Sequence, residues 1–337
     1  MKKVDGLCAM RFALVETDGV WVRTDIDDAP RYQHGKCEFC GRAVGARKGD
    51  IRADHWYHLD GEQGCDYWHE PKGPWHKAWQ NCFPVSRQEY IITRDWNGAL
   101  TKHIADIYTK SGFIIECQLS PISRAKIAER ESFYGRMIWI VAGRNLTSTN
   151  ISCQTLNSFR RVVPGTDDKV FVIHEKHTSC FNRHWRDIPK YVFFDPTPDV
   201  VEDIDKKELV CLFPNGIVHE HYICCYIRAK ELLDAFLGDD IRPFFSMLED
   251  WASKASGFAA EELAREKKRL RRAGIRDAPT VSGFDLSGID LKTSEVSPRL
   301  YSSETSDEIW NKNGMTDKWK EYLADKKRRW IRDRYGH

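Results

Sequence analysis

Residues 102–142 read KHIADIYTKSGFIIECQLSPISRAKIAERESFYGRMIWIVA. Thr109 and Phe113 flank a short loop, Lys110-Ser111-Gly112, and a loop with glycine last is a common hairpin connection. If Thr109 faces Phe113, the register sets Asp106 directly opposite Glu116. Opposed residues share a sheet face, with Cβ atoms about 5 Å apart. Gln118 falls on the same face, whereas Ala105, Ile107, Ile115, Cys117 and Leu119 form an apolar opposite face. Ser120-Pro121 ends the strand, Ser123 is a candidate N-cap, and Gly135 closes the helix. Residues 137–142 are an apolar run of the kind found in buried strands. Strand, helix and strand over about thirty residues predict a crossover unit.

Two carboxylates at this spacing suit a hard divalent ion, which takes oxygen ligands, water and substrate phosphate. Left alone they would repel, so a metal or another cation is expected beside them. A solvated acidic face is the plainer alternative.

The ordered set resembles the nuclease core of the competence protein CoiA-like family, in the PD-(D/E)xK superfamily. The residues that carry the likeness are Asp106, then Glu116-Cys117-Gln118-Leu119-Ser120, then Arg130 and Tyr134, then Trp139-Ile140. The likeness is clearest over residues 31–142. It implies a restriction-endonuclease-like mixed α/β core that uses Mg²⁺ or Mn²⁺ to cleave DNA, with Asp106 and Glu116 as metal ligands. Gln118 stands where the wider superfamily has its lysine; the CoiA-like variant also carries glutamine there, which leaves the lysine's role without a residue. The family's first core helix follows an acidic residue and a W-H pair, matched here by Glu70 and Trp75-His76. Glu70 is thus expected to reach the metal, and His76 to contact phosphate or a metal-bound water. The implied setting is DNA uptake, recombination or phage defence, with protein partners in those processes.

Cys37-x-x-Cys40, then His55-x-x-His58 and Cys65, has the spacing of a zinc site. The favoured ligands are Cys37, Cys40, His58 and Cys65, with His55 the first substitute. Four ligands leave no open position, so the zinc is expected to be structural.

At 337 residues the chain is long enough for more than one domain. The expected divisions are a β-hairpin over 1–30, a zinc module over 31–69, the nuclease core over 70–226 and a helical, partly basic extension over 227–337. Within them a strand pair turns at Pro214-Asn215-Gly216, residues 229–252 and 259–272 form separate helices, residues 273–305 read as a linker or long surface loop, and a last helix starts near Asp317. A net charge of +2 gives no global nucleic-acid signature, so DNA contact must come from local patches. Candidates are Arg130 and the runs Lys267, Lys268, Arg269, Arg271, Arg272 and Lys326, Lys327, Arg328, Arg329. The eleven cysteines are scattered, and several (Cys117, Cys211, Cys224, Cys225) sit in apolar contexts, which suits reduced thiols in a cytoplasmic protein. No apolar run reaches the roughly 20 residues that span a bilayer. A zinc-containing DNA-binding or recombination accessory protein without catalysis is the alternative function. A zinc-stabilised protein-interaction module is a third.

Overall fold

The computed structural model describes residues 10–49, 54–61, 65–66, 68, 72–143, 156, 158–180 and 184–272. The chain divides into two compact units, Met1–Gly257 and Phe258–His337. The first holds both sheets.

The N-terminal sheet is built from β1 (Phe12–Thr17), β2 (Val20–Asp25), β3 (His34–Lys36), β4 (Ala43–Arg47) and β5 (His55–His58). Its order is β2-β1-β3-β4-β5. Asp18 and Gly19, both at positive φ, turn the first hairpin as the Asp-Gly pair predicts. Hairpin and zinc-knuckle residues thus share one sheet and one small core around Trp56, Val44 and Ile26.

Helix α1 (Pro74–Asn81) leads into the larger sheet. It is followed by β6 (Gln88–Trp96), β7 (Ala99–Tyr108), β8 (Ile114–Gln118), α2 (Arg124–Tyr134), β9 (Met137–Ala142), β10 (Arg161–Val162), β11 (Val170–His174), β12 (Val192–Asp195), β13 (Glu208–Val218) and β14 (His221–Arg228). The nine strands run in the order β10-β11-β14-β13-β12-β9-β8-β7-β6. β8, β9 and β12 are mutually parallel and central; the other pairings are antiparallel. All six residues of β9 are buried, as expected of a parallel strand with neighbours on both sides. The Ser123 hydroxyl caps α2 by accepting the Lys126 N–H at 3.3 Å, and Gly135 (φ 69) ends it. Ile127, Phe133 and Tyr134 bury one side of α2 in the main core with Trp139 and Val141. The fold is therefore mixed α/β, with a large mixed sheet and few helices.

Two local expectations are corrected. The β13–β14 turn is not at Pro214-Asn215-Gly216 but at His219-Glu220, both left-handed (φ 48 and 62). Pro214 has no N–H for the ladder, and the register shifts between Leu212 and Ile217 instead. The charged stretch from Ala259 is not a separate helix; it continues one helix, Arg242–Arg272. The predicted linker over 273–305 and the last helix lie outside the described residues. Among the described residues no helix is long and apolar enough to cross a membrane.

Glu131 on α2 accepts the indole N–H of Trp139 at 2.9 Å and is almost fully buried. Burial pushes its carboxyl from 4.5 up to about 7, against the opposing pull of Trp139 and Lys190. The folded state therefore holds a proton that the unfolded chain releases between these values, so stability falls as pH rises through that window. The loss is about 2–3 kcal/mol by pH 8. Glu131→Gln keeps the acceptor for Trp139 and has no proton to lose. Urea unfolding at pH 5 and pH 8 is expected to show the variant gaining on the wild type at the higher pH. Parallel curves for the two proteins would contradict this.

Candidate active site and metal centres

The candidate zinc ligands are gathered by a tight knuckle and a hairpin. The Gly41 N–H reaches the Cys37 carbonyl at 2.8 Å, the Cys37 N–H reaches the Arg42 carbonyl at 2.9 Å, and Gly41 adopts φ 76 to close the turn. Strand β5 pairs back on β4 with Val44 opposite His58, which returns the imidazole to the knuckle. Cys37 Sγ lies 3.6 Å from Cys65 Sγ, and Cys40 Sγ lies 3.2 Å from His58 Nε2. All four donors fall within 4.8 Å of one another. Zinc–sulfur bonds of about 2.3 Å at tetrahedral angles give sulfurs just under 4 Å apart, so this Cys3His set can bind zinc. Its hydrogen bond with Cys65, then burial, hold the Cys37 thiol far above its ordinary pKa. Zinc would replace that proton. His55 is not among the four. It is an odd number of residues from His58, so it points to the other face of β5, where its ring meets Tyr57 edge-on.

The second centre forms where β7 and β8 part. Their ladder ends with Tyr108 opposite Ile114 and Ile107 opposite Ile115. The next pair is Asp106 and Glu116, and here side chains replace the backbone ladder. The Asp106 carboxylate accepts the Cys117 N–H at 2.8 Å, and Glu116 Oε1 accepts the Asp106 N–H at 3.3 Å. Both acids are 3% exposed. Helix α1, with Pro74 in its first turn, buries Trp75, His76, Trp79 and Gln80. Trp75 anchors it by donating to Asp195 Oδ2 at 2.8 Å, and Gln80 donates to the Asp106 carbonyl at 3.3 Å. His76 is thereby held with Nε2 2.9 Å from Asp106 Oδ2, yet without the alignment of a hydrogen bond.

Two cations complete the cluster. The Lys72 ammonium sits on Asp106 Oδ1. Arg130 donates to Glu116 Oε2 at 2.9 Å and to the Trp68 carbonyl at 2.8 Å. Burial, then the Asp106 charge, push the Glu116 carboxyl up to about 8, against Arg130 and Lys72. Burial also works to raise Asp106, but His76 and Lys72 outweigh it and hold that acid well below the usual range. Burial lowers the His76 imidazole, which favours the neutral ring.

His76, Asp106, Glu116 and Gln118 are thus brought to one narrow cleft, lined also by Lys72 and Arg130, with room for little more than a water-sized group. Gln118 turns its amide to the Ser120 carbonyl and hydroxyl at 2.9 and 3.0 Å. In this cleft the donor atoms of His76, Asp106 and Cys117 lie within 4.8 Å of one another. Burial keeps the Cys117 thiol protonated, which leaves the Asp106 carboxylate and the His76 imidazole as the donors of that group. Glu116 is not in that group; its Oε2 is held by Arg130, and it would join an ion at Asp106 only by sharing its carboxylate with that guanidinium.

Other expected residues fall elsewhere. Glu70 and the run Lys326, Lys327, Arg328, Arg329 lie outside the described residues. Arg130, expected on DNA, is 6% exposed and engaged with Glu116. Lys267, Lys268, Arg269, Arg271 and Arg272 line the last turns of helix Arg242–Arg272, with Arg269 paired to Glu266 at 2.9 Å. Lys72 was not foreseen: a lone lysine in a Pro- and Gly-rich approach to a helix has no period or spacing to mark it. No family model, curated protein or solved structure matches this chain.

Proposed function

We propose that this chain is a metal-dependent nuclease with a restriction-endonuclease-like, CoiA-like core, acting on DNA phosphodiesters in uptake, recombination or defence. The observation that supports it most is the buried Asp106–Glu116 pair just past the last ladder pair of β7 and β8, faced by an imidazole and a lysine. Asp106 and Glu116 would hold Mg²⁺ or Mn²⁺. Such an ion polarises a phosphate and lowers the pKa of bound water. His76, neutral and aimed at Asp106, would accept a proton from the attacking water. Gln118 would orient that water or a phosphate oxygen. Lys72 supplies the cation for which the E-x-Q motif has no residue, and must leave Asp106 to make way for an ion.

The accessory, non-catalytic reading has its own support: Lys72 and Arg130 already neutralise the two acids without any metal. Purified protein incubated with plasmid DNA separates the readings. Nicking in Mg²⁺ or Mn²⁺ that EDTA abolishes is the expected result. Intact plasmid, with DNA retained on the protein in gel shifts, favours the accessory role.

A further inference from the structure

Glu89 lies beside the cleft without being one of its expected residues. The pairs Gln88–Ile107 and Tyr90–Ala105 bracket it opposite Asp106. On the other side of β7, the ladder leads Asp106 to Glu116. Three adjacent strands therefore carry Glu89, Asp106 and Glu116 in line. Glu89 is 6% exposed and left-handed, with φ 43, a backbone that side-chain-bearing residues seldom adopt. Its Oε2 takes the Arg11 N–H at a long 3.4 Å, and its Oε1 has no hydrogen-bond partner among the described residues. A buried carboxylate oxygen left open is costly unless a cation comes to it.

Resting on the metal-site reading above, we propose that Glu89 is the alternative seat of the Lys72 ammonium. Lys72 lies on Asp106 as observed and moves to Glu89 when a divalent ion takes Asp106. Two cations cannot both sit against one buried carboxylate without strong repulsion. The lysine has a flexible stem and a point charge, so it can change partners within a row of acids. Burial opposes the Lys72 charge; Asp106 is the strongest influence sustaining it, and Glu89 is the next. Glu89 is therefore a positioning residue, acting on the ion through Lys72.

The test is Mn²⁺ affinity of the full chain, by calorimetry, for wild type, Lys72→Met, Glu89→Gln and the double variant. Lys72→Met is expected to bind Mn²⁺ about tenfold more tightly, because a competing cation is gone. Glu89→Gln is expected to weaken binding about tenfold when Lys72 is present and less than about twofold when it is replaced. Glu89→Gly, which suits the left-handed backbone, repeats the comparison should the glutamine variant fold poorly. An equal loss in both backgrounds would make Glu89 an ion ligand in its own right and overturn the proposal. No loss in either background would overturn it too, while leaving the metal site standing. Absence of Mn²⁺ binding by both wild type and Lys72→Met would remove the metal-site reading and this proposal together.

Discussion

Cys37→Ser is expected to leave little soluble, folded protein. The N-terminal sheet is small, and its core around Trp56, Val44 and Ile26 includes Cys37 and Phe39 of the knuckle. Structural zinc contributes on the order of 10 kcal/mol in such modules, more than a whole small domain usually has to spare. The damage is expected to spread. Asp66, directly after the ligand Cys65, accepts the Ile104 N–H at 2.6 Å and pairs with His103 at 2.9 Å. Both partners lie on β7, two and three residues before Asp106. His103 also stacks on Trp68, whose carbonyl holds Arg130. Loss of zinc should therefore loosen the strand that presents Asp106 and the arginine that faces Glu116. Metal analysis of the wild type is expected to give about one zinc per chain, as one four-ligand site does. A Cys37→Ser/Cys40→Ser protein that is metal-free and melts like the wild type would contradict this.

Asp106→Asn and Glu116→Gln are each expected to cost about 10³-fold or more in cleavage rate. Each swap keeps the side-chain shape and removes a charge proposed to hold the ion, and losing one charged contact to the transition state is worth several kcal/mol. Their effects on stability should differ. Burial and the Asp106 charge raise the Glu116 carboxyl to about 8, so Glu116→Gln removes a repulsion with Asp106 that sets in as pH rises through that value, and its gain in stability should grow there. Asp106→Asn takes the anion from Lys72 and His76 and should destabilise the fold. Adding Lys72→Met to Asp106→Asn removes the stranded cation and should recover stability without recovering cleavage. Thermal melts beside single-turnover rates check both halves. Recovery of cleavage in the double variant would place the chemistry away from Asp106.

Much of this site was legible because local chemistry fixes it. The Lys110-Ser111-Gly112 loop sets the register, with the Thr109 N–H on the Phe113 carbonyl at 2.8 Å and Gly112 at φ 79. Asp106 must then meet Glu116. The zinc set followed from spacing, and strand alternation decides for His58 over His55. Lys72 and Glu89 escaped because neither sits in a motif. In β6 the left-handed Glu89 departs from the regular alternation that pattern reading assumes. Arg130 reads as a free surface cation on α2, and only the long-range approach of Trp68 and Glu116 shows it to be internal. Asn215-Gly216 carries the usual turn signal, but the hairpin turns later, at two residues with weaker local preference. Pairing across the whole sheet outweighed the dipeptide.

Single-turnover cleavage of an end-labelled DNA by wild type, Glu116→Gln and the Asp106→Asn/Lys72→Met protein, each in Mn²⁺ and in EDTA, tests the central claim most directly. The expected result is cleavage by the wild type in Mn²⁺ alone, with both variants folded, DNA-binding and slower by about 10³-fold or more. Cleavage that survives in both variants, or that persists in EDTA, would contradict a metal centre at Asp106 and Glu116.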